Sequence, residues 1–183
     1  MGQYYKPAKV NEEGEPEAFV YSHDYNNGLK LMEHSYIGNT FMQAVESLLI
    51  PSGDWYKQRI VWAGDYADPI DVFLDGDEQE NVYGLCEDEL QVNPEPLTDE
   101  EAEEYRFVVN FDTQQFVEKP SYVKDYFKVH PLSLLTADGN GRGGGDYRDD
   151  SDFVGIWIGN RIGLEKTAPE GFERVVVDFE VDY

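Results

Sequence analysis

Positive charge is scarce in this chain: 14 Lys and Arg stand against 38 Asp and Glu in 183 residues, a formal charge of −24. Neutralising phosphates takes Lys and Arg, so direct binding to nucleic acid or to an anionic membrane surface is not expected. Cysteine is scarcer still. Cys86 alone cannot form an internal disulfide, and the opening MGQYYKPAKVNEEG lacks both a basic n-region and an apolar h-region, which points to the cytoplasm. Myristoylation of Gly2 would want Ser or Thr at position six, where Lys6 stands. No apolar run approaches the roughly 18 residues of a membrane span.

Catalytic and metal-binding patterns are missing as well. His23, His34 and His130 have no zinc-ligand spacing, and neither H-E-x-x-H nor G-x-S-x-G occurs. Cys86 lies among acids that would raise its pKa, the opposite of an activated thiol. Asp75 to Glu80, DGDEQE, misses the calcium-loop register of alternate acids, a sixth-position glycine and a closing Glu. A carboxylate pair for glycoside hydrolysis stays open, but among 38 acids some pair always lies close. The expectation is a non-enzyme with no cofactor and no metal.

What is present is enough to fold. With 40% hydrophobic and 14% aromatic residues, residues 1–183 suit a single α+β domain: a largely antiparallel, twisted sheet with two or three helices. QYYKPAKV and EAFVYSHD, separated by NEEGEPE, read as a hairpin, with Pro7 at an edge or near a strand end because it donates no ladder hydrogen bond. Phe41, Ala44, Val45, Leu48 and Leu49 have helical spacing after an Asn39 or Thr40 cap, and Pro51 stops that helix. Thr98 and Glu101 have capping-box spacing. RFVVNFDTQQFVEK reads as two strands about Asp112-Thr113. SYVKDYFKV is ambiguous between strand and a short helix ended by Pro131. DFVGIWIGNRIGLEK and FERVVVDFEVDY read as strands, the latter turning Val175, Val177, Phe179 and Val181 inward. IVWAGD and GIWIGN could be two equivalent strand ends.

The charge is concentrated. Residues 60–105 hold 16 acids and no Lys or Arg. Trp62, Tyr66, Ile70, Val72, Phe73, Leu74, Val82, Tyr83, Leu85 and Leu90 interleave with them, so the segment can fold rather than form an acidic tail. Carboxylates held in rows by apolar anchors resemble duplex phosphates and suit a Lys/Arg-lined channel, although a solvated acidic face has equal weight. Candidate partner-binding residues are Asp65, Asp68, Asp71, Asp75, Asp77, Glu78, Glu80, Glu87, Asp88 and Glu89. The glycine-rich segment 136–152 lacks the Gly-Lys-Ser/Thr ending of a P-loop and reads as a surface loop, with Arg142, Asp146, Tyr147 and Arg148 as a secondary contact.

MGQYYKP, together with HPLSLLTADGNGRGGGDYRDD and VGIWIGNRI, resembles a family of small proteins from bacterial and phage-borne elements, and within it this acidic chain resembles a type II-A anti-CRISPR protein. The resemblance implies a type II RNA-guided effector nuclease as partner, with or without guide RNA bound, in the cytoplasm of a bacterial host. It implies no catalytic residues. Such a nuclease holds its heteroduplex in a basic channel, where a compact polyanion can compete. An acidic immunity or regulatory protein for another basic partner is the alternative.

Overall fold

The computed structural model describes residues 2–70, 80–122, 127–139, 152–177 and 179. Among them, strands β1 (Tyr5–Val10), β2 (Pro16–Phe19), β3 (Gln58–Gly64), β4 (Leu90–Gln91), β5 (Phe107–Asn110), β6 (Gln115–Glu118), β7 (Ala137–Asp138), β8 (Arg161–Glu165) and β9 (Glu173–Arg174) form one sheet. Its order is β4-β2-β1-β3-β8-β5-β6-β9, with β7 joined to β3, and most pairs are antiparallel. Helices α1 (Leu31–His34), α2 (Thr40–Leu49), α3 (Val82–Leu85), α4 (Asp99–Glu104) and α5 (Pro131–Leu135) complete an α+β domain. Among the described residues the α-helices number five rather than two or three, because four of them are only four to six residues long.

Period-two alternation sorts the sheet into two faces. Tyr5, Ala18, Ile60 and Trp62 join the larger core with Phe41, Met42, Val45 and Leu49 of α2 and Leu132, Leu134 and Leu135 of α5. Their neighbours Ala8, Val10, Phe19, Val61 and Ala63 form a second core on the opposite face. There they meet Val82 and Cys86, from the middle of the acidic segment.

Local signals act as the sequence leads one to expect at several joints. Asn11 Oδ1 accepts from the backbone N–H groups of Glu13 and Glu15 in the β1–β2 turn, and Gly14 supplies the φ of 86° that closes it. Asn39 caps α2 by accepting from Met42 N–H at 3.1 Å. Thr98 and Glu101 form the reciprocal capping box of α4. Asn110 Oδ1 accepts from Asp112 and Thr113 N–H in the β5–β6 turn.

Several expectations are corrected. Pro7 lies in a strand with neighbours on both sides. It is tolerated because its partner Trp62 turns its own N–H to Thr136 O, and because β2 ends one rung earlier, where Val20 N–H reaches Pro7 O. Pro131 starts a helix instead of ending one: it occupies the first turn of α5, and His130 Nδ1 accepts from Leu132 N–H. SYVKDYFKV itself lies largely outside the described residues. Residues 152–159 are turns, not a strand, with Gly155 and Gly159 at φ 77° and 71°. IVWAGD and GIWIGN are therefore unlike: the first is strand, and the second is a turn that bonds to it through Gly159 N–H on Ile60 O. FERVVVDFEVDY is strand only at Glu173–Arg174 among the described residues; beyond β9, Val175, Val177 and Phe179 still pack against the larger core while Val176 is exposed, and Val181 lies outside the described residues.

A candidate anionic interface

Residues 80–91 are held onto the second face of the sheet by a small set of contacts. Val82 and Cys86, four apart, present one side of a short helical stretch to β1, β2 and β3, and Ile70 and Tyr83 pack beside them. Asn81 fixes the entry to α3. Its Oδ1 accepts from Gly84 N–H at 2.9 Å, and its Nδ2 donates to Asp65 O and Ala67 O just past β3. Ile70 N–H donates to Glu80 O at 3.1 Å within the acidic stretch, and β4 docks in parallel on β2.

With the apolar side chains turned inward, the carboxylates are left outside. Asp68, Glu80, Glu87, Asp88 and Glu89 are all exposed. Asp65 is half-buried and accepts Tyr4 N–H at 2.9 Å. Among the described residues no Lys or Arg comes within ion-pair distance of these six. The cation nearest the underside of this layer is Lys6, which is 7% exposed. Its ammonium lies over the Tyr83 ring, 4.1 Å from the centroid, with Phe19 and Tyr21 further off at 5.3 and 6.0 Å. Asp71, Asp75, Asp77 and Glu78 lie outside the described residues, as do Arg142, Asp146, Tyr147 and Arg148.

Among the described residues, Lys9 pairs with Glu17 across β1 and β2, and most of the other ion-paired bases lie at the other end of the sheet. Asp112 takes Arg59 and Arg161, Glu118 takes Arg106 and Arg174, and Lys166 pairs with Glu104. Apart from Lys9–Glu17, the ion pairs between exposed side chains of the described residues thus collect about β5, β6, β8 and β9, while the six carboxylates without such a pair lie by β4, β2 and the end of β3. The Arg pairs also hold the Asp112 carboxyl below its ordinary range despite partial burial.

Cys86 is a buried thiol pushed up to about 12. Burial is the main cause of that rise, rather than the neighbouring acids that the sequence leads one to expect; Lys6 opposes it and Glu89 adds to it. Tyr83 is likewise raised to about 12, by burial and then by Asp65. Both groups stay neutral at physiological pH.

One polar cluster was not anticipated. Glu46 of α2 is buried and bonds to His130 Nε2 at 2.5 Å and to Lys119 Nζ at 3.1 Å; Lys119 also donates to Ala102 O at 2.8 Å. Burial opposes ionisation of Glu46, but Lys119 and His130 outweigh it and hold the carboxyl low. Burial holds the His130 imidazole low against the pull of Glu46. No signal in the sequence pointed to it, since Glu46 lies outside the apolar spacing of α2 and its partners are 73 and 84 residues away. A cleft with Glu46, Lys119, Asp99, Glu103, Arg106 and Tyr122 among its walls opens over this cluster. Both nitrogens of His130 and both oxygens of Glu46 are already engaged, so the cluster offers no free base and acts as a tie between α2, α4, α5 and the end of β6.

Among the described residues no group of three or more His, Cys, Asp or Glu side chains could hold a metal ion, and no helix is long and apolar enough to cross a membrane. No protein-family model, curated protein or solved structure matches the chain.

Proposed function

We propose that this chain is a stoichiometric protein inhibitor that docks on a basic, nucleic-acid-binding surface of its partner through the carboxylate face spanning Asp65 to Glu89. The observation that supports this reading is the separation of charge among the described residues: exposed acids with no Lys or Arg in ion-pair distance on an apolar-anchored layer, with Arg59, Arg106, Arg161 and Arg174 paired off at the far end of the sheet. Acids that served only solubility would gain by mixing with cations; a face kept free of them attracts a basic partner and steers its approach. The partner that the MGQYYKP and GNGRGGGDY resemblance names is a type II RNA-guided effector nuclease in a bacterial cytoplasm, and the blocked step is target DNA binding or cleavage.

The test is titration of the purified protein into guide-loaded nuclease, with DNA binding and cleavage measured separately. Inhibition should saturate near equimolar ratio. Glu80→Lys/Glu87→Lys/Asp88→Lys/Glu89→Lys and Asp71→Lys/Asp75→Lys/Asp77→Lys/Glu78→Lys should each lose it while keeping the wild-type circular dichroism spectrum. Full inhibition by both variants overturns the acidic-face reading. Absence of inhibition by the wild type, with tight capture of a different basic nuclease, transfers the same face to an immunity or regulatory role.

A further inference from the structure

We infer that His130 is a proton-sensitive helix cap, and that acid opens α5, with the turns of residues 153–157 that hang from it, before the central strands of the sheet. Helix N-caps are ordinarily Ser, Thr, Asp or Asn, whose oxygens accept a backbone N–H without changing charge near neutral pH. Helix α5 begins on a histidine instead, and His130 Nδ1 accepts from Leu132 N–H at 3.1 Å. An accepting Nδ1 carries no proton, so the one ring proton sits on Nε2 and is donated to Glu46 Oε1 at 2.5 Å. The two partners fix the tautomer. His34, also fully buried, is held the opposite way, with Nδ1–H on Gly28 O and Nε2 accepting from Trp62 Nε1–H.

A second proton on His130 has only Nδ1 to go to. There it would meet Leu132 N–H donor to donor, so the imidazolium cannot hold the cap. Among the described residues, the charged groups that face the ring are Glu46 from α2 and Lys119 from the end of β6, and Glu46 already serves the Lys119 ammonium. The end of α1 meets His130 through backbone, Ser35 O accepting from His130 N–H; α4 reaches Lys119 through Ala102 O and lines the cleft above with Asp99 and Glu103, beside Arg106. What α5 carries decides what opens with it. Leu134 O accepts from Gly155 N–H and Leu135 O from Trp157 N–H, both at 2.8 Å, while Thr136 N–H closes back on Leu132 O. A helix of five residues has too few internal bonds to outlast its cap. β1 and β3, by contrast, are joined along their own ladder from Tyr5–Gly64 to Val10–Arg59. Burial holds the closed imidazole below the ordinary histidine range. In the open form it meets water and takes its proton near pH 6.5, so the open form binds more protons below that value and opening grows as pH falls.

Nitrogen-15 NMR of the labelled histidines checks the cap directly. At neutral pH His130 should show the Nε2–H tautomer and His34 the Nδ1–H tautomer in the same spectrum; Nδ1–H at His130 overturns the inference. Native-state hydrogen exchange, corrected for the intrinsic effect of pH on exchange, reads the opening. Below about pH 6.5, until the closed imidazole itself titrates, opening at Leu132, Thr136, Gly155 and Trp157 should rise about tenfold per pH unit, the slope of a single proton. Amides of β1 and β3 should stay better protected throughout. His130→Asn supplies a cap that does not titrate, and should remove that slope at the same four amides. Should this variant fail to fold, the wild type still decides, because its opening must level off where the His130 ring signals titrate. A slope of zero in the wild type, opening that follows the His34 signals instead, a slope that persists in His130→Asn, or equal protection in α5 and in β1 and β3 overturns the switch.

Discussion

Removing the Lys119 ammonium strands the Glu46 carboxylate in the protein interior, because both side chains are almost wholly buried. Lys119→Met should therefore cost roughly 3–5 kcal/mol in urea unfolding, and adding Glu46→Gln should recover much of that loss by removing the orphaned charge. A double variant as unstable as Lys119→Met alone would contradict this account. His34 gives a pH signature of its own. Its Nδ1 donates to Gly28 O, its Nε2 accepts from Trp62 Nε1–H, and burial lowers it to about 4. An unfolded histidine takes up its proton near pH 6.5 and the folded one near 4, so the unfolded state binds more protons between those values. Stability should fall as pH drops across that window, by on the order of 3 kcal/mol, and then level off with respect to this group. His130, lowered in the same direction, adds a loss of the same sign below pH 6.5. Glu46, held below its ordinary value, stabilises above it and loses that contribution as pH falls through the folded value. His34→Gln should flatten the upper part of the profile in urea titrations between pH 7 and 4.

Asn81 carries more of the acidic layer than any other single side chain among the described residues, since it both caps α3 and ties the layer to the end of β3. Asn81→Ala should lose about 1–2 kcal/mol and raise hydrogen exchange across residues 80–91 more than in β1 or β3. Uniform exchange across the sheet would mean that the layer does not open separately. Much at this scale was legible in the sequence because its signals are local: the Asn39 cap and apolar spacing of α2, the Thr98–Glu101 box, the β1–β2 and β5–β6 hairpins, and the inward alternation of Val175, Val177 and Phe179. Proline and glycine misled where one residue serves two structures. Pro131 can close one helix or open another, and Gly155 and Gly159 turn an apparently alternating GIWIG out of strand. The charge concentration of residues 60–105 could be counted from the sequence, as could the apolar residues that anchor it. The buried Glu46–Lys119–His130 cluster could not, because its members are 73 and 84 residues apart and meet only through the fold. The gathering of ion pairs about β5, β6 and β8 was equally hidden, since it follows from strand order.

At the scale of the whole molecule, a charge of −24 sets stability against the proposed binding. Acids near β4 and the end of β3 repel one another and have no cations beside them among the described residues, whereas the pairs around Asp112 and Glu118 attract. Salt weakens both, but exposed ion pairs are individually worth only about 0–1 kcal/mol, and the excess of 24 negative charges leaves repulsion as the larger sum. The melting temperature should therefore rise as NaCl is raised from 10 mM, where charges interact over about 30 Å, to 0.15 M, where they interact over about 8 Å. Charge reversal should separate the two roles of the face. Glu87→Lys/Asp88→Lys/Glu89→Lys relieves repulsion, so it should melt at or above the wild-type temperature at low salt and gain less from added salt. The same variant should inhibit the guide-loaded nuclease far more weakly. Surplus charge that stabilised the fold would give the opposite result, with the reversed variant melting lower. A gain in stability coupled to a loss of binding is what a surface kept for a partner produces, because the repulsion it tolerates alone is relieved when the partner's cations arrive.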